Sequence, residues 1–205
     1  MIRLWGFRQS VYVRTVRMAL AERAQSYELI EVDPFDPTQS SPHPFGRVPL
    51  MAHESFRLYE TAAITTYIEA AFPGDAWTPS DPATRARIAQ AIGIIDSYGY
   101  RPMVHDVFAN TAAGPEQIDR DRLSRGLKKA APVLDELETI AAENRILNGT
   151  ITRADLHIAP MLDYFARWPD AAAMLADRPT LMGWFTMIRA RASFQQTDPD
   201  QPTAD

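Results

Sequence analysis

The apolar residues of this 205-residue chain change their period once, across the punctuated stretch "FPGDAWTPSDP" (72–82). Alternation by two places side chains on opposite faces of a strand, whereas steps of three and four line one face of a helix. Ahead of the stretch both patterns occur; behind it only the helical one does. Three prolines and a glycine make the stretch itself read as a linker. The pattern predicts an α/β half, about residues 1–75, followed by an all-α half, about 83–195.

In the first half "MIRLW" sets Ile2 and Leu4 against Arg3 and Trp5 and predicts a strand. Val13, Val16, Leu20 and Ala24 predict an amphipathic helix over 12–25. "YELIEV" (27–32) is β-prone and enters "DPFDPTQSSPHPFG", whose four prolines leave room for at most one helical turn. "VPLMA" and "SFRLYE" follow as a hairpin, and Ile64, Tyr67, Ile68, Ala71 and Phe72 form the apolar face of a second helix. A βαβ opening calls for a parallel pair and the hairpin adds an antiparallel one, so the sheet is mixed. In the second half Ile88, Ile92 and Ile95 mark a helix over 83–111, with a kink expected at Pro102. Leu123, Leu127, Leu134, Leu137 and Ala141 mark another, bent at Pro132. A third begins after Thr152, where Asp155 completes a capping box, and two shorter ones occupy 170–177 and 180–192. The polar tail "QQTDPDQPTAD" is expected to be disordered.

A formal net charge of -5 and a pI near 5.4 argue against whole-molecule attraction to nucleic acid or anionic lipid. No run approaches the roughly 18 apolar residues of a membrane span. The start, "MIRLWGFRQS", lacks a signal-peptide apolar core, so the expected location is cytoplasmic. With no cysteine, disulfides, thiolate metal sites and a protein-borne thiol nucleophile are excluded. His43, His53, His105 and His157 show no metal-ligand spacing, and no metal site is expected.

Three places carry chemistry. Glu60 and Thr61 stand where a strand hands over to a helix, either as plain capping residues or as a site for a ligand's ammonium and carboxylate at the helix N-terminus. Pro49 opens a strand; a cis bond after Val48 would expose backbone to an extended ligand, and a trans edge proline would do nothing of the kind. Ser10 sits between the first strand and first helix, placed to cap the helix or to donate a hydrogen bond to an anion, thiolate included. No G-x-S-x-G surrounds it, so a Ser-His-Asp arrangement is not indicated.

Taken together, "SVYVRTVRMAL", "HPFGRVPLM", "LYETAAITTYI" and "GTITRADLHIAP" resemble the motifs of cytosolic glutathione S-transferases, in the family's order and over about residues 1–195. The resemblance is to serine-type members, theta-like or bacterial. It implies a thioredoxin-like domain that binds glutathione as co-substrate, a helical domain contributing the electrophile site, and a homodimer. Glu60 and Thr61 would hold the γ-glutamyl end, and Val48, before a cis Pro49, the cysteinyl backbone. Arg47 and His43, which replace the family's usual Lys and Asn, would lie toward the glycine carboxylate. Ser10 would activate the thiol, with Tyr12 as the alternative donor and Arg14 near enough to help electrostatically. Phe7, Tyr12, Tyr100, Val104, Phe108 and Tyr164 would line the pocket for a small hydrophobic electrophile. The resemblance also leaves open a glutathione-dependent isomerase or lyase, or a binding and scaffold protein that has lost the chemistry.

Overall fold

The computed structural model describes residues 1–200 except 37, 40 and 113. Two compact units divide it: residues 1–76 together with the segment from Arg191 onward, and residues 77–190.

The first unit is built on β1 (Ile2–Gly6), α1 (Val11–Glu22), β2 (Tyr27–Glu31), β3 (Leu50–His53), β4 (Phe56–Tyr59) and α2 (Thr61–Ala71). The strand order is β2-β1-β3-β4. β1 runs parallel to β2 and antiparallel to β3, and β3 pairs antiparallel with β4. This is the expected mixed, thioredoxin-like sheet. Ile2, Leu4, Met51, Val13, Val16, Leu20, Ile64 and Ile68 are all buried, so the period-2 and period-3.6 patterns meet in one core. Gly6 admits α1 close to the end of β1, since a Cβ there would come within 2.6 Å of Val13 Cγ1.

Helix α1 ends earlier than its apolar spacing predicts. Ala24 adopts φ 51, a left-handed conformation that no helix continues through, and Arg23 caps the helix instead. The Val48–Pro49 peptide bond is cis.

The second unit is helical: α3 (Pro82–Ile94), a π-helix (Ile95–Ala109), α4 (Asn110–Ala112), a 3-10 turn (Pro115–Gln117), α5 (Arg120–Ala142), α6 (Arg153–Phe165), α7 (Pro169–Ala176) and α8 (Pro179–Arg189). Two details differ from the sequence expectations. Trp77, inside the apparent linker, is 1% exposed and belongs to this unit's core. Around Pro102, where a kinked α-helix is expected, the chain runs at π pitch over 15 residues. Proline lacks an N–H and crowds the carbonyl a turn back, and a wider turn relieves both problems. Helix α5 continues through Pro132, where the sequence predicts a bend rather than an end. It approaches the π-helix at Gly126, where a Cβ would lie 3.0 Å from the Pro102 carbonyl oxygen.

The capping box is formed as expected: Asp155 accepts from the Thr152 backbone N–H at 2.7 Å and from its hydroxyl. The same buried carboxylate accepts the Trp184 indole N–H, a bond across 29 residues that local spacing does not announce.

The polar tail is not disordered as far as residue 200. A short helix, α9 (Ala192–Gln195), returns to the first unit, and Phe194 and Thr197 are buried there. Residues 201–205 lie outside the described ones.

Candidate functional site

Strand register brings the segments carrying Ser10, Val48–Pro49 and Glu60–Thr61 to one end of the sheet. Trp5, Leu50 and Tyr59 form one row across β1, β3 and β4. Consequently the loop that leaves β1 toward Ser10, the Val48–Pro49 segment that enters β3, and the Glu60–Thr61 junction that leaves β4 all lie at the same end of the sheet. Gly6 pairs with Glu31 at that end too, so the connection carrying His43 and Arg47 starts there.

Ser10 is the N-cap of α1, with extended backbone (φ -73, ψ 124). Its Oγ accepts from Val13 N at 3.4 Å, a long bond. The hydroxyl therefore serves the helix as an acceptor, which leaves its own proton to be donated elsewhere. The surrounding loop is held by Ser10 N–H donating to the Phe7 carbonyl at 2.8 Å and by Arg8 N–H donating to Glu31 Oε1 at 3.0 Å. Tyr12, two residues on, is half-buried in the first turn.

Glu60 occupies the N-cap position of α2 but does not cap the helix with its side chain. Its backbone sits at φ 68, ψ 116, a conformation rare for any residue but glycine. Thr61 is the first helical residue and is buried, 8% exposed. The leading N–H groups of α2 lack intrahelical acceptors by geometry and carry the helix's positive end. An uncapped, strained helix start of this kind suits an anion.

His43 is nearly buried, its ring packed on Tyr59 with centroids 4.9 Å apart. Its Nδ1 accepts from Phe45 N at 3.1 Å, so in the neutral ring Nε2 carries the proton. Burial holds the imidazole below its ordinary pKa; the Glu60 carboxylate opposes that shift and the Arg47 guanidinium adds to it. Those mutual effects place His43, Arg47 and Glu60 in one electrostatic neighbourhood. Arg47 is exposed and Val48 half-buried, while Pro49 is buried. Tyr59, not singled out from sequence, is what holds the His43 ring; its only sequence signal is its place beside Glu60.

Arg14 does not lie open beside the serine. It is 0% exposed, with its guanidinium over the Phe194 ring at 4.3 Å and Nη2 donating to the Phe194 carbonyl at 3.2 Å.

The residues expected to line an electrophile pocket fall in both units. In the first, Phe7 meets Phe35 edge-on at 6.2 Å. In the second, the Tyr100 hydroxyl lies 3.2 Å from His105 Nε2, a pairing five residues apart that the π pitch brings onto one face. Phe108 stacks on Tyr164 at 4.3 Å under the Arg167 guanidinium, Tyr164 is fully buried, and Val104 nearly so.

A thioredoxin-like sheet whose helix starts and strand entry converge at one end, followed by a helical unit, defines a class of two-domain proteins. Comparison with known proteins narrows it. Residues 4–76 match the N-terminal domain model of glutathione S-transferase, and residues 95–192 match the C-terminal domain model. The chain belongs to the glutathione S-transferase family. Glutathione S-transferase F13 of Arabidopsis thaliana is 27% identical over 209 residues, covering 97% of this chain and 95% of that protein. The apo structure of glutathione S-transferase III superposes with a TM-score of 0.82 at 27% identity, covering 100% of this chain and 98% of that one. Poplar glutathione transferase F1 gives 0.80 at 27%, covering 96% and 95%. Glutathione is the co-substrate of this family.

Proposed function

We propose that this enzyme activates glutathione with the Ser10 hydroxyl and delivers the thiolate to a small hydrophobic electrophile. The observation that carries the reading is the row Trp5–Leu50–Tyr59, because it sets the Ser10 loop, Val48 and the Glu60–Thr61 junction at one end of the sheet.

An extended tripeptide is held across that end. Its γ-glutamyl carboxylate meets the N-terminus of α2 and the Thr61 hydroxyl, and its ammonium meets Glu60. Val48 pairs its backbone with the cysteinyl unit. The glycine carboxylate faces Arg47, whose planar fork suits two parallel hydrogen bonds, and the Nε2–H of His43. The cysteinyl sulfur then reaches the start of α1. There the Ser10 O–H donates to it, and the positive end of the helix favours thiolate over thiol. Serine forms no covalent bond. The thiolate sulfur attacks carbon, and the bond to a halide breaks, or an epoxide or enone oxygen takes up the charge and then a proton.

Residues 1–75 are the glutathione-binding domain in this reading, and 83–195 contribute the electrophile site. The active form is a homodimer. Support comes from Phe45, 70% exposed, and from a groove of about 560 Å³ in the helical unit, whose apolar residues Ile94, Tyr98, Pro102, Pro132 and Val133 stand among Ser97, Arg101, Lys129 and Glu136 and offer mixed surface to a second copy. No helix of the described residues is long and apolar enough to cross a membrane, and cytoplasmic detoxification is the role we assign.

The test is the ultraviolet absorbance of bound glutathione thiolate, titrated across pH in wild type and Ser10→Ala. Losing a hydrogen bond to a charged group costs about 1.5–3 kcal/mol, so the thiol pKa should rise by roughly 1–2 units while glutathione still binds. Identical titrations would transfer the role to Tyr12. Failure of the wild type to bind glutathione would make the protein a scaffold.

A further inference from the structure

Helix α1 buries charge where a helix on a sheet ordinarily buries only apolar side chains. Its apolar residues Val13, Val16 and Leu20 are buried, but so are Arg14 at 0% and Arg17 at 6% exposure. Taking a guanidinium out of water is costly unless its donors are met. The segment from Arg191 onward meets one donor of each. Arg14 Nη2 donates to the Phe194 carbonyl at 3.2 Å and its guanidinium covers the Phe194 ring. Arg17 Nη1 donates to the Thr197 carbonyl at 3.2 Å, and its Nε to the Tyr27 hydroxyl on β2 at 2.9 Å. At the last turn of α1, Glu22 accepts a bidentate pair from Arg191, at 2.8 and 2.7 Å, and the Ser193 hydroxyl. These three attachments run from Arg14 to Glu22, roughly 12 Å of helix. The tail is closed on itself as well: the Thr197 hydroxyl donates to the Ser193 carbonyl at 2.7 Å.

From this we infer that residues 191–199 form a strap that fixes the position of α1 and thereby aims the Ser10 hydroxyl at the glutathione sulfur, with Phe194 and Arg17 as its positioning residues. Ser10 itself is poorly held by its cap: the bond from Val13 N is 3.4 Å long. The direction of its O–H is therefore set by where the whole helix lies. The sheet bounds that helix on one side, where Val13 presses on Gly6. The strap bounds it on another. A displacement of about 1 Å at a reacting group is enough to matter to rate. The inference rests on the Ser10 reading above.

The experiment compares wild type, Phe194→Ala, Phe194→Leu and Ser10→Ala, all full length. Each is read for the pKa of bound glutathione thiol, for the pH–rate profile with a chromogenic aryl halide, and for Tm. Phe194→Ala should raise the thiol pKa by about one unit and lower kcat about tenfold below that pKa, with the glutathione KM little changed because α2 still holds the tripeptide. Raising the pH should restore the rate. Phe194→Leu, which keeps most of the volume and loses the ring beneath Arg14, should shift less in the same direction, and it decides the matter if Phe194→Ala does not fold. A lowered Tm with an unmoved thiol pKa and pH–rate profile would overturn the strap's role while Ser10→Ala still shifts. If Ser10→Ala leaves the thiol pKa unmoved as well, the serine reading fails and the strap's function with it.

Discussion

Asp155→Ala should destabilise this protein far more than an ordinary loss of one polar side chain. The carboxylate is 0% exposed and is held by the Thr152 backbone N–H, the Thr152 hydroxyl and the Trp184 indole N–H. Burial pushes its pKa up to about 6, against the pull of the Thr152 and Trp184 bonds, so at pH 7 it is mainly ionised. Removing it orphans the two N–H donors, at about 1–3 kcal/mol each, while the hydroxyl can turn to another acceptor. Loss of the helix cap adds about 1 kcal/mol. The variant no longer bears the cost of a buried charge, which offsets part of this, and the net loss should be about 3 kcal/mol. That is a large share of the roughly 5–15 kcal/mol that holds a native chain together, and it corresponds to about 6–12 °C in Tm at this size. The assay is urea unfolding at pH 7 followed by the fluorescence of Trp184 and its fellows, with Asp155→Asn alongside. Asparagine fills the same volume but turns an NH2 toward at least one of the three donors, so it should rescue little. If Asp155→Asn proves within about 1 kcal/mol of wild type, volume and not hydrogen bonding holds the α6–α8 corner, and the reasoning is refuted.

Other variants probe separate parts. Gly126→Ala should cost about 1–3 kcal/mol in denaturant unfolding, because the new Cβ falls 2.9 Å from Asp106 Cβ and 3.0 Å from the Pro102 carbonyl oxygen; no loss would mean the two helices part freely. His157 is fully buried, and burial, then the Arg153 charge, lowers its pKa from 6.5 to about 3. The neutral ring thus contributes stability above pH 6.5 that is lost as pH falls toward 3, up to about 5 kcal/mol. His157→Leu should flatten that acid limb, and an unchanged limb would remove His157 from the account. Thr61→Val keeps the shape and deletes the hydroxyl, so the glutathione KM should rise about tenfold with kcat at saturation nearly unchanged; an unaltered KM would take Thr61 out of the binding set.

What the sequence made legible was whatever a local pattern decides. Alternation in "MIRLW" and the helical steps after Thr61 placed strands and helices because burial on one face imposes those periods directly. Thr152 and Asp155 were readable as a cap because both partners lie within one turn. The bond from Trp184 to Asp155 was not, since its partner lies 29 residues away. At the site the residue types at Ser10, Val48 and Glu60–Thr61 were legible, whereas their meeting at one end of the sheet depends on strand register. Local spacing also misjudged Ala24, whose apolar character suited the face of α1 although its backbone leaves the helix.

The tail shows the limit most clearly. "QQTDPDQPTAD" has the composition of a disordered end, and by itself it could not offset the entropy of being ordered. Within it Thr197 accepts from Arg17, and just ahead of it Phe194 accepts from Arg14, each 180 residues later in the chain than its arginine; docking of residues 191–199 becomes favourable because those cations would otherwise be buried with fewer acceptors. A trace of this was present in "VYVRTVRMAL", where Val11 and Met18 lie on the face of the helix opposite Val13, Val16 and Leu20. A helix with apolar residues on two opposite faces is set up for burial from both, so an arginine between them must find acceptors from a segment that covers it. The arginines of α1 therefore called for a cover, and the order of the tail follows from the helix it covers rather than from the tail's own residues.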